Sequence, residues 1–162
     1  MNVKKKIVTI VSKDAFTKKG LLESIEKGLI PDNAISWAAE NGHTELVELL
    51  VSKGADITEN RNYPLELASR NGHTEIVKLL IDSGARTYDS ELDEGYCLRL
   101  AANEGHVEII KLLLDAGANP VADNYHALYL ALTKQNNEIV ELLLDAICKK
   151  RTSVVQKVEN NV

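Results

Sequence analysis

The sequence predicts an all-α solenoid, which is a stack of short helix pairs, and three observations lead to this prediction. The chain has 162 residues, of which 44% are hydrophobic and 27% charged, a composition typical of a folded domain. One segment recurs four times, with 30, 33 and 30 residues between the first alanines of successive copies. Each copy places apolar residues at helical spacing and turn-forming residues where a helix would end. Because one such unit cannot bury its own apolar face, neighbouring units must cover it.

The four copies align without gaps and predict two helices per unit. At residues 38–47, 68–77, 101–110 and 131–140 they read AAENGHTELV, ASRNGHTEIV, AANEGHVEII and ALTKQNNEIV. The short first helix carries small residues that permit close stacking, and the longer second helix carries leucines at spacings of three and four. Glycines are expected to end the helices because they adopt conformations that other residues resist. These glycines are Gly42, Gly72 and Gly105 after the first helices, and Gly54, Gly84 and Gly117 after the second helices.

The repeated pattern Ala-x-x-Asn-Gly-His-x-Glu-Ile-Val-Lys-Leu-Leu, followed by Gly-Ala-Asp, resembles the ankyrin repeat over roughly residues 33–147. The resemblance implies an ankyrin-like α-solenoid of antiparallel helix pairs joined by short β-turn fingers. It also implies a curved stack whose fingers and first helices line the concave face. We therefore predict a single domain over residues 1–162. Its parts are an N-terminal cap at 1–32, repeats at 33–62, 63–95, 96–125 and 126–147, and a C-terminal cap or tail at 148–162.

The repeats depart from the family pattern in two ways. Family members usually begin the first helix with Thr-Pro-Leu-His, and here only Pro64 stands in its usual place. The two periods of 30 residues shorten the finger by three residues relative to the usual 33. Shortened repeats of this kind, with Asp123-Asn124-Tyr125-His126, are similar to ankyrin repeats of giant DNA viruses of amoebae. A viral origin would imply the host-cell cytoplasm as the location.

The two ends carry their own predictions. Residues 14–27 are expected to form a helix that Gly28 and Pro31 close. Residues 7–11 are β-branched, but a lone strand has no partner in a helical stack, so we expect the first helix of a capping pair there. Ile147 stands where the other units have a stopping glycine. The last long helix is therefore predicted to continue towards Lys150, with a further turn or helix at residues 153–158.

Charge is segregated along the chain, which has a formal net charge of −5. Residues 1–20 carry a local +5 and residues 148–162 a local +3, which leaves −13 on the rest. An acidic body repels phosphates and disfavours nucleic-acid binding, while it suits a partner with a basic patch. No apolar run is long enough to span a membrane, and no secretory signal is expected. Cys97 and Cys148 indicate free thiols in a reducing compartment, so we expect a cytoplasmic protein.

No residue pattern predicts catalysis, a cofactor or a metal site. Gly-His-x-Glu recurs at His43, His73 and His106, but stacked helices lie about 8–10 Å apart, so equivalent side chains cannot converge on one ion. We expect these histidines to hydrogen-bond backbone groups near the turn between helices. A resemblance of residues 89–95 to a calcium loop fails because the required glutamate position holds Leu100. The chain is predicted not to be an enzyme.

The five tyrosines point instead to protein binding. All lie in fingers or at the start of first helices, and tyrosine offers a large contact area with little entropy to lose. The alternative is that Tyr63 and Tyr96 stack on each other. Glu66 and Arg99 occupy one column of the stack and are expected to form an ion pair. The predicted protein-binding residues on the concave face and fingers are Tyr63, Glu66, Arg70, Tyr88, Glu91, Asp93, Glu94, Tyr96, Arg99, Asn103, Tyr125, Tyr129 and Thr133.

These observations predict a non-enzymatic module that binds a basic or partly apolar protein or peptide surface through its concave face. A monomer is expected. One alternative is a structural or self-assembling protein in which basic ends meet the acidic body of another copy. A second alternative is an inhibitor whose carboxylates mimic the charge of a nucleic acid.

Overall fold

The computed structural model describes residues 17–87 and 95–159, and these residues form nine helices and no strand. The helices are α1 (Lys18–Glu26), α2 (Ala34–Glu40), α3 (Thr44–Ser52), α4 (Glu59–Asn71), α5 (Thr74–Asp82), α6 (Tyr96–Glu104), α7 (Val107–Asp115), α8 (Ala122–Thr133) and α9 (Asn137–Glu159). The predicted helix at residues 7–11 lies outside the described residues. The predicted all-α solenoid is confirmed.

The helices form two layers. The first helices of the four units, α2, α4, α6 and α8, pack side by side in chain order, and the second helices, α3, α5, α7 and α9, do the same behind them. Small residues let the first helices approach closely; Ala38, Ala68, Ala101 and Ala131 are all fully buried between them. Larger residues, such as Leu50 and Leu113 on the second helices, are fully buried between the layers. Each unit therefore contributes to one continuous apolar core.

The predicted glycines end the helices as expected, with left-handed backbone conformations. Gly72 has φ 77° and Gly105 has φ 84° at the ends of α4 and α6. Histidines of the next unit pack against this turn. Nε2 of His73 lies 3.0 Å from the carbonyl oxygen of Glu40, and Nε2 of His106 lies 2.9 Å from that of Arg70. The predicted structural role of these two histidines is confirmed, and each joins its own unit to the preceding one.

The two shortened fingers end in left-handed turns made of residues other than glycine. Asp123, Asn124 and Tyr125 have φ values of 47°, 52° and 64°, and the right-handed part of α8 begins after them. Asn60 and Asn62, at the equivalent positions before the right-handed part of α4, have φ values of 47° and 64°. Asparagine and aspartate tolerate this conformation better than other residues with side chains. A compact left-handed turn thus takes the place of the three missing finger residues.

The two ends of the stack differ. At the N-terminal end, α1 packs against α3 and buries Leu21 and Ile25. Thr17 begins this helix, and its Oγ1 accepts a hydrogen bond from the amide of Gly20 at 3.1 Å. At the other end α9 passes the buried Ile147 and continues to Glu159, so the predicted extension is confirmed and is longer than expected. The interior stop is lost because Ile147 supports helix where the other units have glycine.

One sequence interpretation was wrong about which residues face the core. Apolar spacing alone places Leu132 on one face of the last first helix, with Leu128 and Ala131. The structure buries Ala131 fully, but 56% of the Leu132 surface is exposed. The equivalent residues Ala39 and Ala102 are fully buried because the first helix of the following unit covers them.

Candidate protein-binding face

The candidate site is the first-helix face, which we define as the exposed surface of α2, α4, α6 and α8 with the turns that precede them. Three of its tyrosines are exposed: Tyr129 is 61% exposed, Tyr125 is 42% exposed, and Tyr63 is 41% exposed. Tyr96 is half-buried at the start of α6. Exposed aromatic side chains of this size offer apolar contact area together with a hydrogen-bonding hydroxyl.

Five residues of α6 and α8 form a connected group, which we call the α6–α8 cluster: Tyr96, Arg99, Asp123, His126 and Tyr129. The guanidinium carbon of Arg99 lies 5.1 Å from the centre of the Tyr96 ring. Nη1 of Arg99 donates to Oδ2 of Asp123, and Nδ1 of His126 lies 3.0 Å from the same oxygen. The His126 ring meets the Tyr129 ring edge to face, with centres 6.1 Å apart. The cluster therefore links side chains of α6 and α8 across one connected surface.

The pKa of the carboxylate at the centre of this cluster is lowered by its neighbours. Hydrogen bonds from His126 and from Arg99 hold the pKa of Asp123 below its ordinary value of 3.8. Asp123 is thus ionised under all ordinary conditions, and its charge offsets that of Arg99. The tyrosine rings of the cluster consequently lie beside a neutralised ion pair rather than an isolated cation.

Tyr125 has a backbone conformation that its residue type disfavours. Its φ of 64° lies in the left-handed region, where a bulky side chain is strained, and 42% of its surface is exposed. The equivalent residue in the turn that precedes the right-handed part of α4, Asn62, has the same φ of 64° and is of a type suited to it. Strain of this kind costs about 1–3 kcal/mol and is concentrated at functional sites. Asn62 shows that the same turn forms without a tyrosine.

The remaining predicted residues are less closely associated. Arg70 and Thr133 are exposed near the ends of α4 and α8, and the Thr133 hydroxyl donates to the carbonyl of Leu130 at 2.8 Å. Asn103 on α6 is half-buried and donates to Glu104 at 2.7 Å. Glu66 is half-buried on α4, and its predicted ion pair with Arg99 stays a prediction. Tyr88, Glu91, Asp93 and Glu94 lie outside the described residues.

Sequence reasoning missed two residues that connect this surface. Asp123 and His126 were seen only as part of a finger, and the structure pairs Arg99 with Asp123. The usable signal was the spacing of Asp123 and His126, because residues three apart in a turn or helix can meet. Among the described residues the aromatic rings in contact are Trp37 with His43 and His126 with Tyr129. Stacking of Tyr63 on Tyr96 is thus not seen.

The described part of the chain holds no group of three or more histidine, cysteine, aspartate or glutamate residues that could bind a metal ion. None of its helices combines the length and the apolar character needed to cross a bilayer. Cys97 is buried and Cys148 is exposed, and neither forms a disulfide within the described part of the chain.

Comparison with known proteins identifies the class of this fold. The family model described as ankyrin repeats in three copies matches residues 12–91 and 87–153. The chain therefore belongs to the ankyrin-repeat family, whose repeats generally mediate protein–protein interaction. A search of curated proteins found no match to this chain.

Proposed function

We propose that this chain is a non-enzymatic binding module that recognises a basic or partly apolar protein surface through its first-helix face. The observation that supports this most strongly is Tyr125, a bulky exposed residue at φ 64° four positions before the 61% exposed Tyr129. A strained residue persists where the surrounding structure holds it for a function. Tyr129, held by its contact with His126 in the α6–α8 cluster, and Tyr125 together make a preorganised anchor site.

Charge supports the basic character of the partner. The chain has 24 acidic and 19 basic residues, and the acidic excess lies in the repeats, away from the lysine-rich ends. On the first-helix face Glu40 is exposed and Glu66 is half-buried. Such a surface attracts a basic partner during encounter and repels nucleic acid. The acidic residues Glu91, Asp93 and Glu94 of the long finger are proposed to extend this attraction.

Compartment and origin are part of the same proposal. An exposed free Cys148 persists most readily where thiols stay reduced, which supports a cytoplasmic location. The shortened repeats support a viral source and a partner in the cytoplasm of the host cell.

Affinity capture with matched variants tests the proposal. Wild-type protein is immobilised and compared with Tyr63→Ala/Tyr129→Ala, which alters the first-helix face, and with Glu48→Ala/Lys78→Ala, which alters exposed residues of the second helices. Circular dichroism establishes that all three are folded. A protein retained by wild type and by the second-helix variant, but lost with the tyrosine variant, supports binding at the first-helix face.

Other outcomes contradict the proposal. Equal capture by all three proteins moves the binding site elsewhere. Displacement of the captured protein by a DNA or RNA oligonucleotide favours the inhibitor that mimics nucleic-acid charge. Salt-dependent assemblies larger than a dimer favour the self-assembling alternative based on basic ends and the acidic body.

A further inference from the structure

The last unit exposes apolar residues that every other unit buries. Val47, Val77 and Ile110 on the second helices are fully buried, whereas the equivalent Val140 is half-buried. Val51, Ile81 and Leu114 are half-buried, whereas the equivalent Leu144 is 46% exposed. On the first helices Leu132 is 56% exposed where its equivalents are fully buried. We call the surface formed by Leu132, Val140 and Leu144 the end face.

The end face needs a cover that the other end of the stack already has. At that end α1 packs against α3 and buries Leu21 and Ile25. Terminal units of a solenoid normally have a polar outer surface, because an apolar one promotes association. Position 132 holds a leucine where the other units have a small residue, and this increases the apolar area of the end face. A polar terminal unit would have the opposite effect.

The arrangement of charged residues on α9 indicates what kind of partner covers the end face. At 100° per residue, Glu141, Leu144, Cys148 and Arg151 fall within an arc of about 80° on one side of the helix. Leu142, which lines a groove with Leu114 of α7, lies about 160° around from Leu144. The arc therefore faces away from α7 and towards the open end of the stack. Glu141, Cys148 and Arg151 are all exposed.

The charges on this arc are complementary to those on the same arc of a second, antiparallel copy. If α9 packs antiparallel against a second α9 about a two-fold axis at residue 146, Glu141 of one copy lies opposite Arg151 of the other. Leu144 then lies opposite Cys148, and the symmetry makes both pairs twice. An antiparallel two-fold pair is the arrangement that brings the acidic part of the arc to the basic part and buries both leucines.

We propose that the end face is a homodimer interface in which two copies of this chain pair through antiparallel α9 helices, with Leu132, Val140 and Leu144 buried between them. The extension of α9 to Glu159 lengthens the contact beyond that of a nine-residue second helix such as α7. Leu132, Glu141, Leu144 and Arg151 are not among the predicted protein-binding residues, and of these four only Leu132 lies on a first helix, α8.

Light scattering after size exclusion tests this proposal on the full chain. Wild type is expected to have twice the 17.9 kDa mass of the chain at about 100 µM, where a dimer with a Kd near 10 µM is mostly paired. Leu132→Ala restores the residue that the first and third units have, so it folds, and it is expected to weaken the dimer at least tenfold. A wild-type mass of 17.9 kDa at every concentration, or an unchanged Leu132→Ala dimer, overturns the proposal.

A charge exchange tests the antiparallel register. Glu141→Arg and Arg151→Glu, each alone, place like charges opposite one another and are expected to give monomers. The first variant has basic side chains at positions 141 and 151, and the second has acidic side chains at both. Mixed in equal amounts, the two variants are therefore expected to form a heterodimer. In wild type a bis-maleimide with a hexyl spacer is expected to join the two exposed Cys148 thiols. Failure of the mixture to pair overturns the antiparallel arrangement.

Discussion

The imidazole ring of His73 lies directly over Gly42, so that a Cβ added to Gly42 would be 2.6 Å from Cε1 of that ring. The next pair along the stack repeats this arrangement, with His106 over Gly72 at 2.7 Å. Each glycine therefore serves its own turn, through its left-handed conformation, and also makes room for the histidine of the following unit. The recurrence of Gly-His thus reflects a contact between units as well as the end of a helix.

Replacement of Gly42 by alanine is expected to cost more stability than replacement of Gly54. Both glycines have positive φ, at 71° and 80°, but a Cβ on Gly54 has no atom within 4 Å. The left-handed penalty alone predicts a loss of about 1–2 kcal/mol for Gly54→Ala. The clash with His73 adds about 1–3 kcal/mol for Gly42→Ala. Urea denaturation of both variants measures the difference, and equal losses would contradict the proposed contact.

The histidine contact itself is tested by combining two substitutions. His73→Ala removes the hydrogen bond to Glu40 and is expected to cost about 1–2 kcal/mol. It also removes the clash, so Gly42→Ala is expected to cost less in the His73→Ala background than in wild type. A double-mutant cycle should give a coupling of about 1–3 kcal/mol. Additive losses would show that the ring and the glycine do not interact.

Ser69→Ala is expected to stabilise the protein by about 1 kcal/mol. Within the described part of the chain, the fully buried Ser69 hydroxyl has no hydrogen-bond partner, and burial without a partner is unfavourable. The equivalent positions already hold alanine, at Ala39 and Ala102. Thermal denaturation checks this, with Ser52→Ala as the control, because the exposed Ser52 donates to Leu49 at 2.7 Å. A loss of stability in Ser69→Ala would contradict it.

The contribution of Asp123 to stability is expected to depend on pH. Its pKa is lowered below 3.8 in the folded protein, so its stabilising effect is fully present above the unfolded pKa and is lost as pH falls through the folded value. Asp123→Asn keeps a side chain that tolerates the left-handed turn but removes the charge. The stability difference between wild type and this variant should be constant above about pH 5 and shrink below pH 3.8. A difference that stays constant down to pH 2 would contradict the pairing with Arg99 and His126.

Tyr125→Asn is expected to raise stability by about 1 kcal/mol, because asparagine tolerates a φ of 64° better than tyrosine. Tyr129→Asn, on the right-handed part of the same helix, is the control and is expected to change stability by less than about 0.7 kcal/mol. Chemical denaturation measures both. A lower stability of Tyr125→Asn would show that Tyr125 supports the fold, and its strain would then give no support to a binding role.

The repeat pattern predicted the fold well because it is carried by short-range signals. The spacing of apolar residues located the helices, and the absence of glycine at Ile147 predicted the extension of α9. The left-handed turns were not predicted, because the sequence shows that three finger residues are missing but not which backbone conformation replaces them. Asn60 and Asp123 are consistent with such turns without requiring them.

The candidate site was predicted only in part, since its geometry depends on that same turn. Tyr63 and Tyr129 are exposed as the binding hypothesis needs, whereas the link from Arg99 through Asp123 to His126 follows from the position of the turn before α8. Leu132 was misassigned for a different reason. Periodicity gives the apolar side of a helix, but burial of that side requires a following unit, and among the described residues α8 has none.

The affinity of the captured partner for a single-tyrosine variant tests the central claim most directly. Calorimetric titration compares wild type, Tyr129→Ala and the second-helix control Lys78→Ala, once light scattering shows that all three have the same mass. The 61% exposed Tyr129 is expected to act as an anchor, so its removal should weaken binding at least about tenfold, while Lys78→Ala stays within about twofold of wild type. Equal affinities of wild type and Tyr129→Ala would contradict recognition through the first-helix face.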